Sequence, residues 1–416
     1  MKRSAILCIA VLAMLVLISA SITGCGKNPG VNQKDIVKNE ATSDNTAQQM
    51  TAESNTNSTA GPEKTGENES SGYDNVEKAP QKAAIKAKAL YLTGWTVGSS
   101  DKVQHFINLA KTTEINSYVI DIKDEDGMVG YESNVPAVRE INAWQKKYNA
   151  DKVLKEFHDN GVYIIGRIVC FKDPVLSSEK PELAIKHSNG GLWKDKKNKT
   201  WLNPYNKDSW PYIIDIAREA VAKGFDEIQF DYVRFANEGN RKAMVFGNTE
   251  QEKYEVINDF LAYARKELPE VILSADVFGI ICESPADRED IGQYLELVGK
   301  DIDYISPMVY PSHYAVGQQV NGVKYAKPDF EPYGVVYNSL VKARDRIAKV
   351  EGYKAKMRPY IQDFTATWLG KGYYLEYGPE QVRQQIKAVY DAGYEEWILW
   401  DSKNTYSEEA FLKENS

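Results

Sequence analysis

The 416-residue chain holds only four histidines and four cysteines, and their placement removes whole classes of chemistry. His105, His158, His187 and His313 stand singly, so none has the paired spacing of a histidine metal site. No CxxC occurs. Past residue 25 the only cysteines are Cys170 and Cys282, too few for a zinc or iron–sulfur cluster. An exported protein can oxidise such a pair, but two buried free thiols are the expected state. A Gly-rich phosphate cradle and a Gly-x-Ser-x-Gly nucleophile elbow are both missing. Basic excess is missing too: the net charge is −8, which argues against a nucleic-acid channel. These gaps point to chemistry without a metal or cofactor. What the chain has in quantity is aromatic side chains, with 26 Tyr and eight Trp, a composition suited to stacking on sugar rings or to large packed loops.

Residues 1–24 have the form of a secretion signal. Lys2 and Arg3 are its basic start and Ile6–Ala20 its apolar core. The segment ends Ile22-Thr23-Gly24-Cys25, which looks like a bacterial lipobox. That resemblance implies cleavage before Cys25 and lipid attachment to it, anchoring the protein to the outside of the cell membrane. The alternative is an ordinary cleaved signal beside an incidental cysteine. From Gly26 to about Ala84 the chain is Asn-, Ser-, Thr-, Glu- and Lys-rich with almost no apolar residues. It cannot offset the entropy of ordering, and it reads as a flexible tether.

From Ile85 onward strand-like and helix-like segments alternate, the pattern of a parallel α/β fold. Strands are expected at 89–93, 117–123, 162–169, 226–231, 271–275, 303–308, 357–361 and 396–400. Helices are expected between them, among them 102–112, 151–159, 211–223, 250–268, 337–350 and 379–392. Eight βα units over this length predict a (β/α)₈ TIM barrel spanning residues 85–416. Gly224-Phe-Asp-Glu before the fourth strand is echoed by Gly393-Tyr-Glu-Glu before the eighth, each a helix stop followed by a strand start. Two insertions follow strands and so belong to the active face. Residues 172–210 carry Trp193, Trp201, Tyr205 and Trp210; residues 311–333 carry Tyr314, Tyr325 and Tyr333. They form either a sugar-stacking cleft or small cores that hold long loops together.

The stretch GFDEIQFDYVRF (224–235) organises the rest. Its period of two puts Ile228 and Phe230 on one face and Glu227, Gln229 and Asp231 on the other. In a barrel the polar face looks into the lumen, and Asp231 sits at the strand's C-terminal end, where such barrels place their chemistry. A turn aspartate paired with Arg234 is the plainer reading of this segment alone. The same alternation sends Asp121 and Lys123 of the second strand inward, Arg167 of the third, and Ser274 and Asp276 of the fifth. Met308 and Tyr310 follow on the sixth, Gln362 on the seventh and Asp401 on the eighth. A structural barrel would fill that end with Val, Ile and Leu; several carboxylates beside Lys123, Arg167 and Arg234 make a site. Asp231 and Asp276, on adjacent strands, are the expected reacting pair. One carboxyl releases the leaving oxygen as an acid and the other attacks or activates water, the chemistry that breaks glycosidic bonds. Lys123 or Arg234 would hold Asp231 ionised while repulsion raises its partner. Glu283, in the loop after the fifth strand, is the alternative acid. Asp121, Lys123, Arg167, Arg234, Tyr310, Gln362, Asp401 and Trp95 are the expected substrate-binding residues.

The segments FDEIQFDYVRF, SADVFG, DYISPMVYPSHY and WILWDSKN, with ALYLTGW and NSYVIDIKDEDG before them, together resemble the glycosyl hydrolase domain family of bacterial envelope proteins. The resemblance runs from about Ala87 to the C-terminus and implies a TIM barrel that hydrolyses glycosidic bonds in a polysaccharide. Ala236 stands where the family has proline, a difference of loop stiffness. Met308-Val309-Tyr310 is also similar to the chitinase-like barrels, whose Asp-x-Glu acid is absent here because Tyr232-Val233 follows Asp231. The expectation is a membrane-anchored glycoside hydrolase, with a non-catalytic glycan-binding barrel as the alternative.

Overall fold

The computed structural model describes residues 85–413, so the expected signal at 1–24, the lipidated Cys25 and the tether at 26–84 lie outside the described residues. The strands are β1 Lys88–Leu92, β2 Ser117–Lys123, β3 Tyr163–Val169, β4 Glu227–Asp231, β5 Ile272–Phe278, β6 Tyr304–Met308, β7 (Lys356–Met357 and Tyr360–Gln362) and β8 Trp397–Trp400. Each pairs in parallel with the next, and β8 pairs back onto β1 through Lys88 opposite Trp397, which closes the barrel. The fold is therefore the (β/α)₈ TIM barrel. β7 is interrupted at Arg358-Pro359 because proline has no N–H to give to the ladder. β5 runs three residues past its expected end, so Asp276 lies within the strand.

The principal outer helices are α1 Ser100–Thr112, α2 Ala150–His158, α3 Trp210–Lys223, α4 Lys253–Glu267, α5 Leu295–Val298, α6 Pro332–Ile347 and α7 Pro379–Asp391. After β8 the described residues hold only a short turn at Glu408–Ala410, whose neighbour Phe411 stacks on Trp397. Gly224 and Gly393 both take left-handed backbone, φ 107° and 90°, where the chain leaves a helix for β4 and β8. That conformation is cheap only for glycine, which explains the sequence echo.

Alternation divides the core in two. Ile228 and Phe230 of β4, Leu273 and Ala275 of β5, and Tyr118, Ile120 and Ile122 of β2 pack outward on the helices. Ala89, Tyr91, Val119, Ile165, Tyr360 and Ile398 pack in the lumen. Lower down, Arg358 pairs with Glu227, and the Ser274 hydroxyl donates to the same carboxylate at 2.5 Å. One layer up, Tyr360 Oη donates to Gln229 Oε1 at 2.7 Å. The lumen is thus plugged by side chains, and only the C-terminal end remains for chemistry. A recess of about 720 Å³ bounded by Lys86, Tyr304, Met357 and Glu396 lies at the opposite, N-terminal end of the strands, the face that serves stability.

The loop aromatics resolve into packing. Trp193, Trp201 and Trp210 are buried in the insertion after β3, as are Tyr314 and Tyr325 in the one after β6. Trp201 Nε1 donates to Asp195 Oδ2 and Trp193 Nε1 to Asn240 O, so these rings hold loops together. Cys170 and Cys282 are both buried and free.

Candidate active site

Arg167 of β3 is the centre of the C-terminal mouth. Its Nη1 donates to Asp121 Oδ1 at 2.6 Å, its Nε to Asp231 Oδ2 at 2.9 Å, and its Nη2 to Glu125 Oε1 at 2.6 Å. The ring of Tyr91 lies 5.5 Å from the guanidinium, and Tyr91 Oη donates to Asp121 Oδ2 at 2.7 Å. One planar fork therefore fixes three carboxylates from β2, the loop after it, and β4. Burial opposes the Arg167 charge, but the carboxylates outweigh burial and raise its pKa further. Burial raises Asp121, with Arg167 pulling the other way; at Glu125 burial again pushes upward, but the charge and hydrogen bond of Arg167 together with smaller contributions outweigh it and lower the pKa.

Asp276 stands beside this cluster and differs from it. Phe230 is the register partner of Ala275, so Asp231 and Asp276 are the next residues on neighbouring strands. The Asp276 carboxyl forms no ion pair, and its Oδ1 is enclosed with no hydrogen-bond partner. Burial pushes its pKa well above the ordinary carboxylate value, and the charge on Asp231 adds to that. Two carboxyls on adjacent strands are thus in opposite environments, one ion-paired and one desolvated, which separates an anion from an acid. The turn that presents Asp231 is strained: Tyr232 has φ 48°, and its N–H donates back to Asp231 Oδ1 at 2.5 Å. A bulky residue in left-handed backbone persists only where its surroundings enforce it, and such residues cluster at functional sites.

The other expected residues are distributed as follows. Tyr310 is at the mouth, its ring 6.0 Å from Trp400. Lys123 turns away: the β2–β3 register shifts between Asp121 and Lys123, and its ammonium donates to Val169 O and pairs with Asp173 at 2.9 Å, both side chains fully buried. Arg234 lies among the rings of Trp201, Tyr232 and Phe278 and donates to Phe235 O and Asn237 Oδ1. The cation that reaches Asp231 is therefore Arg167, in place of Lys123 or Arg234. Gln362 accepts from Ser312 N and Oγ and donates to Phe364 O, binding the loops after β6 and β7 together. Asp401 accepts from Lys403 N and Thr405 N, a turn cap. Trp95 is 61% exposed on the short helical turn after β1, with Lys147 over its ring. Glu283 is held by Lys342 at 2.6 Å and by Asn321 N, whereas Asp276 Oδ1 has no such partner. Glu125 is the functional candidate that alternation missed, because it lies in a turn; its place two residues past the end of the strand that carries Asp121 was the available signal. Among the described residues no group of three or more His, Cys, Asp or Glu has metal-holding geometry.

A family model described as "Putative glycosyl hydrolase domain" matches residues 89–406. Among solved structures, a hypothetical protein from Ruminiclostridium thermocellum ATCC 27405 is 69% identical; the match covers 46% of this chain and 99% of that one, with a TM-score of 0.44. The PgaB (BpsB) glycoside hydrolase domain from Bordetella bronchiseptica is 13% identical, with 76% and 94% of the two chains covered and a TM-score of 0.54, a likeness of fold. TtGalA, an alpha-galactosidase from Thermus thermophilus, is 12% identical over 79% of this chain and 64% of its own, with a TM-score of 0.47. No curated protein matches the chain.

Proposed function

The chain belongs to the glycosyl hydrolase domain family, and from that premise we propose that it cleaves glycosidic bonds with Asp231 and Asp276 as the reacting pair. The observation that carries this is the contrast between the two: Asp231 is ion-paired to Arg167, while Asp276 is buried without a partner one strand away. Neighbouring parallel strands lie ~4.8 Å apart, so side chains at one level sit close to the ~5–5.5 Å carboxyl spacing of retaining glycosidases and short of the ~6.5–9.5 Å of inverting ones. In the first step Asp231 attacks the anomeric carbon while Asp276 gives its proton to the departing glycosidic oxygen. In the second, Asp276 takes a proton from water, the water oxygen bonds to the anomeric carbon, and the Asp231 carboxylate leaves. Arg167 stabilises Asp231 as a leaving carboxylate, and Asp121 and Tyr91 orient Arg167. A proton NMR time course should show the first-formed sugar with the substrate's anomeric configuration. An inverted first product rules out Asp231 as nucleophile.

The proposed setting is the outer side of the cell membrane, with an envelope or extracellular polysaccharide as substrate. The basic-then-apolar start and the Ile22-Thr23-Gly24-Cys25 sequence support it. Cys25→Ala should move the protein from the membrane pellet to the soluble or secreted fraction. A variant that still pellets with membranes counts against lipid at Cys25.

A further inference from the structure

Large apolar side chains are exposed unevenly. Of the eight among the described residues, five (Val316, Val323, Phe330, Trp368 and Tyr373) lie on the loops after β6 and β7. Trp193, Trp201, Trp210, Tyr314 and Tyr325, by contrast, are buried. The exposed group also adjoins the candidate site through a chain of rings. Tyr91, whose hydroxyl holds Asp121, stacks with Trp400 at 6.3 Å. Trp400 meets Phe364 edge-on at 5.3 Å, and Phe364 stacks on Trp368 at 5.7 Å with an interplanar angle of 24°. Trp368 ends the run at 41% exposure. Beyond it, Tyr314, Val316, Pro328, Asp329, Leu369 and Tyr373 line a recess of about 380 Å³.

Resting on the glycosidase reading, we propose that this ridge is a binding track for the sugar units beyond the bond being cleaved, so the substrate is a polymeric glycan lying across the β7 and β8 side of the mouth. Each ring is backed by the next, so Trp368 stays exposed without collapsing into the loop. The flat apolar face of a pyranose ring matches an exposed indole face, while its hydroxyls stay in water. Lys327 lies over the rings of Phe330 and Tyr373, which leaves the indole of Trp368 as the uncharged stacking face of the ridge. Continuity with the Asp121–Arg167–Asp231 cluster selects the occupant. A chain bound at the carboxylates runs directly onto Trp400 and Phe364, whereas a docked protein would cover the mouth.

The test uses full-length Asp231→Asn, which binds without turning over, on an array of bacterial cell-wall, exopolysaccharide and plant-type glycans of one to eight units. It should retain chains of four units or more better than mono- and disaccharides. Adding Trp368→Ala should weaken long-chain binding about tenfold. Trp368→Phe should restore most of it, and Leu412→Ala, at an exposed position away from the ridge, should change it less than about twofold. Unchanged melting of the Trp368→Ala protein would confirm that it folds. Binding independent of length, binding unaffected by Trp368→Ala, or no binding to any glycan overturns the track. Failure of the glycosidase reading looks different: Trp368-dependent binding persists, but wild-type protein cleaves none of the bound chains.

Discussion

Asp276→Asn should lower kcat/KM on a natural glycan by about 10²-fold or more, and by much less on an aryl glycoside whose leaving group needs no proton, where the missing base instead slows hydrolysis of the covalent intermediate. The amide keeps the size and shape of the carboxyl but has no proton to give. The pH dependence should change with it. The first step in the wild type needs protonated Asp276, whose pKa is pushed well above the ordinary value of 3.8, so kcat/KM falls as pH rises through that raised value. On the activated substrate the variant should lose this alkaline limb. Stability carries the same signature with a definite sign. Between 3.8 and the raised value, the folded protein holds a proton that the unfolded chain has released. Wild type therefore loses stability relative to Asp276→Asn as pH rises through that window, by about 1.4 kcal/mol per pH unit. Chemical denaturation at pH 5, 6 and 7 measures the slope. A difference that stays flat with pH shows that Asp276 is ionised in the folded state, and the acid role falls.

Arg167→Ala should be the most destabilising single change at the mouth, costing about 3–5 kcal/mol. It leaves Asp121 and Asp231, both nearly buried, facing each other without their cation. Glu125, at 39% side-chain exposure, contributes little to this penalty because water screens it. Removing the guanidinium raises the remaining carboxyl pKa values in the fold, so lowering the pH should recover part of the lost stability. Arg167→Lys should recover less than half, because a single ammonium cannot serve three directions at once. Urea denaturation of the variant, repeated at two pH values, measures both effects. A midpoint within about 1 kcal/mol of wild type, with no recovery in acid, means the cluster is not held by this arginine.

Much of this architecture follows from local rules. Period-two alternation identified the inward faces of β4 and β5 and so brought Asp231 and Asp276 to one place. Glycine stops at Gly224 and Gly393 marked where helices give way to strands. Lys123 escaped the rule because one extra residue in β2 shifts the register after Asp121, which a residue count along the strand does not reveal. Gln362 and Asp401 sit at strand ends as expected, but loop backbone N–H groups consume them, and such pairing depends on loops the alternation does not describe. The aromatics divide for a similar reason. Composition counts rings without saying which way a loop turns, so Trp193 and Trp201 became loop cores while Phe364 and Trp368, in a loop with no periodic signal, reached the mouth.

The most direct measurement is reducing-end release from a panel of envelope and extracellular polysaccharides, comparing full-length wild type with Asp231→Asn. Glycoside hydrolysis by this pair predicts that wild type releases reducing ends from at least one polymer and that Asp231→Asn lowers the rate by about 10²-fold or more with its melting curve preserved. Equal release by the two proteins, or none by wild type from any polymer, contradicts it.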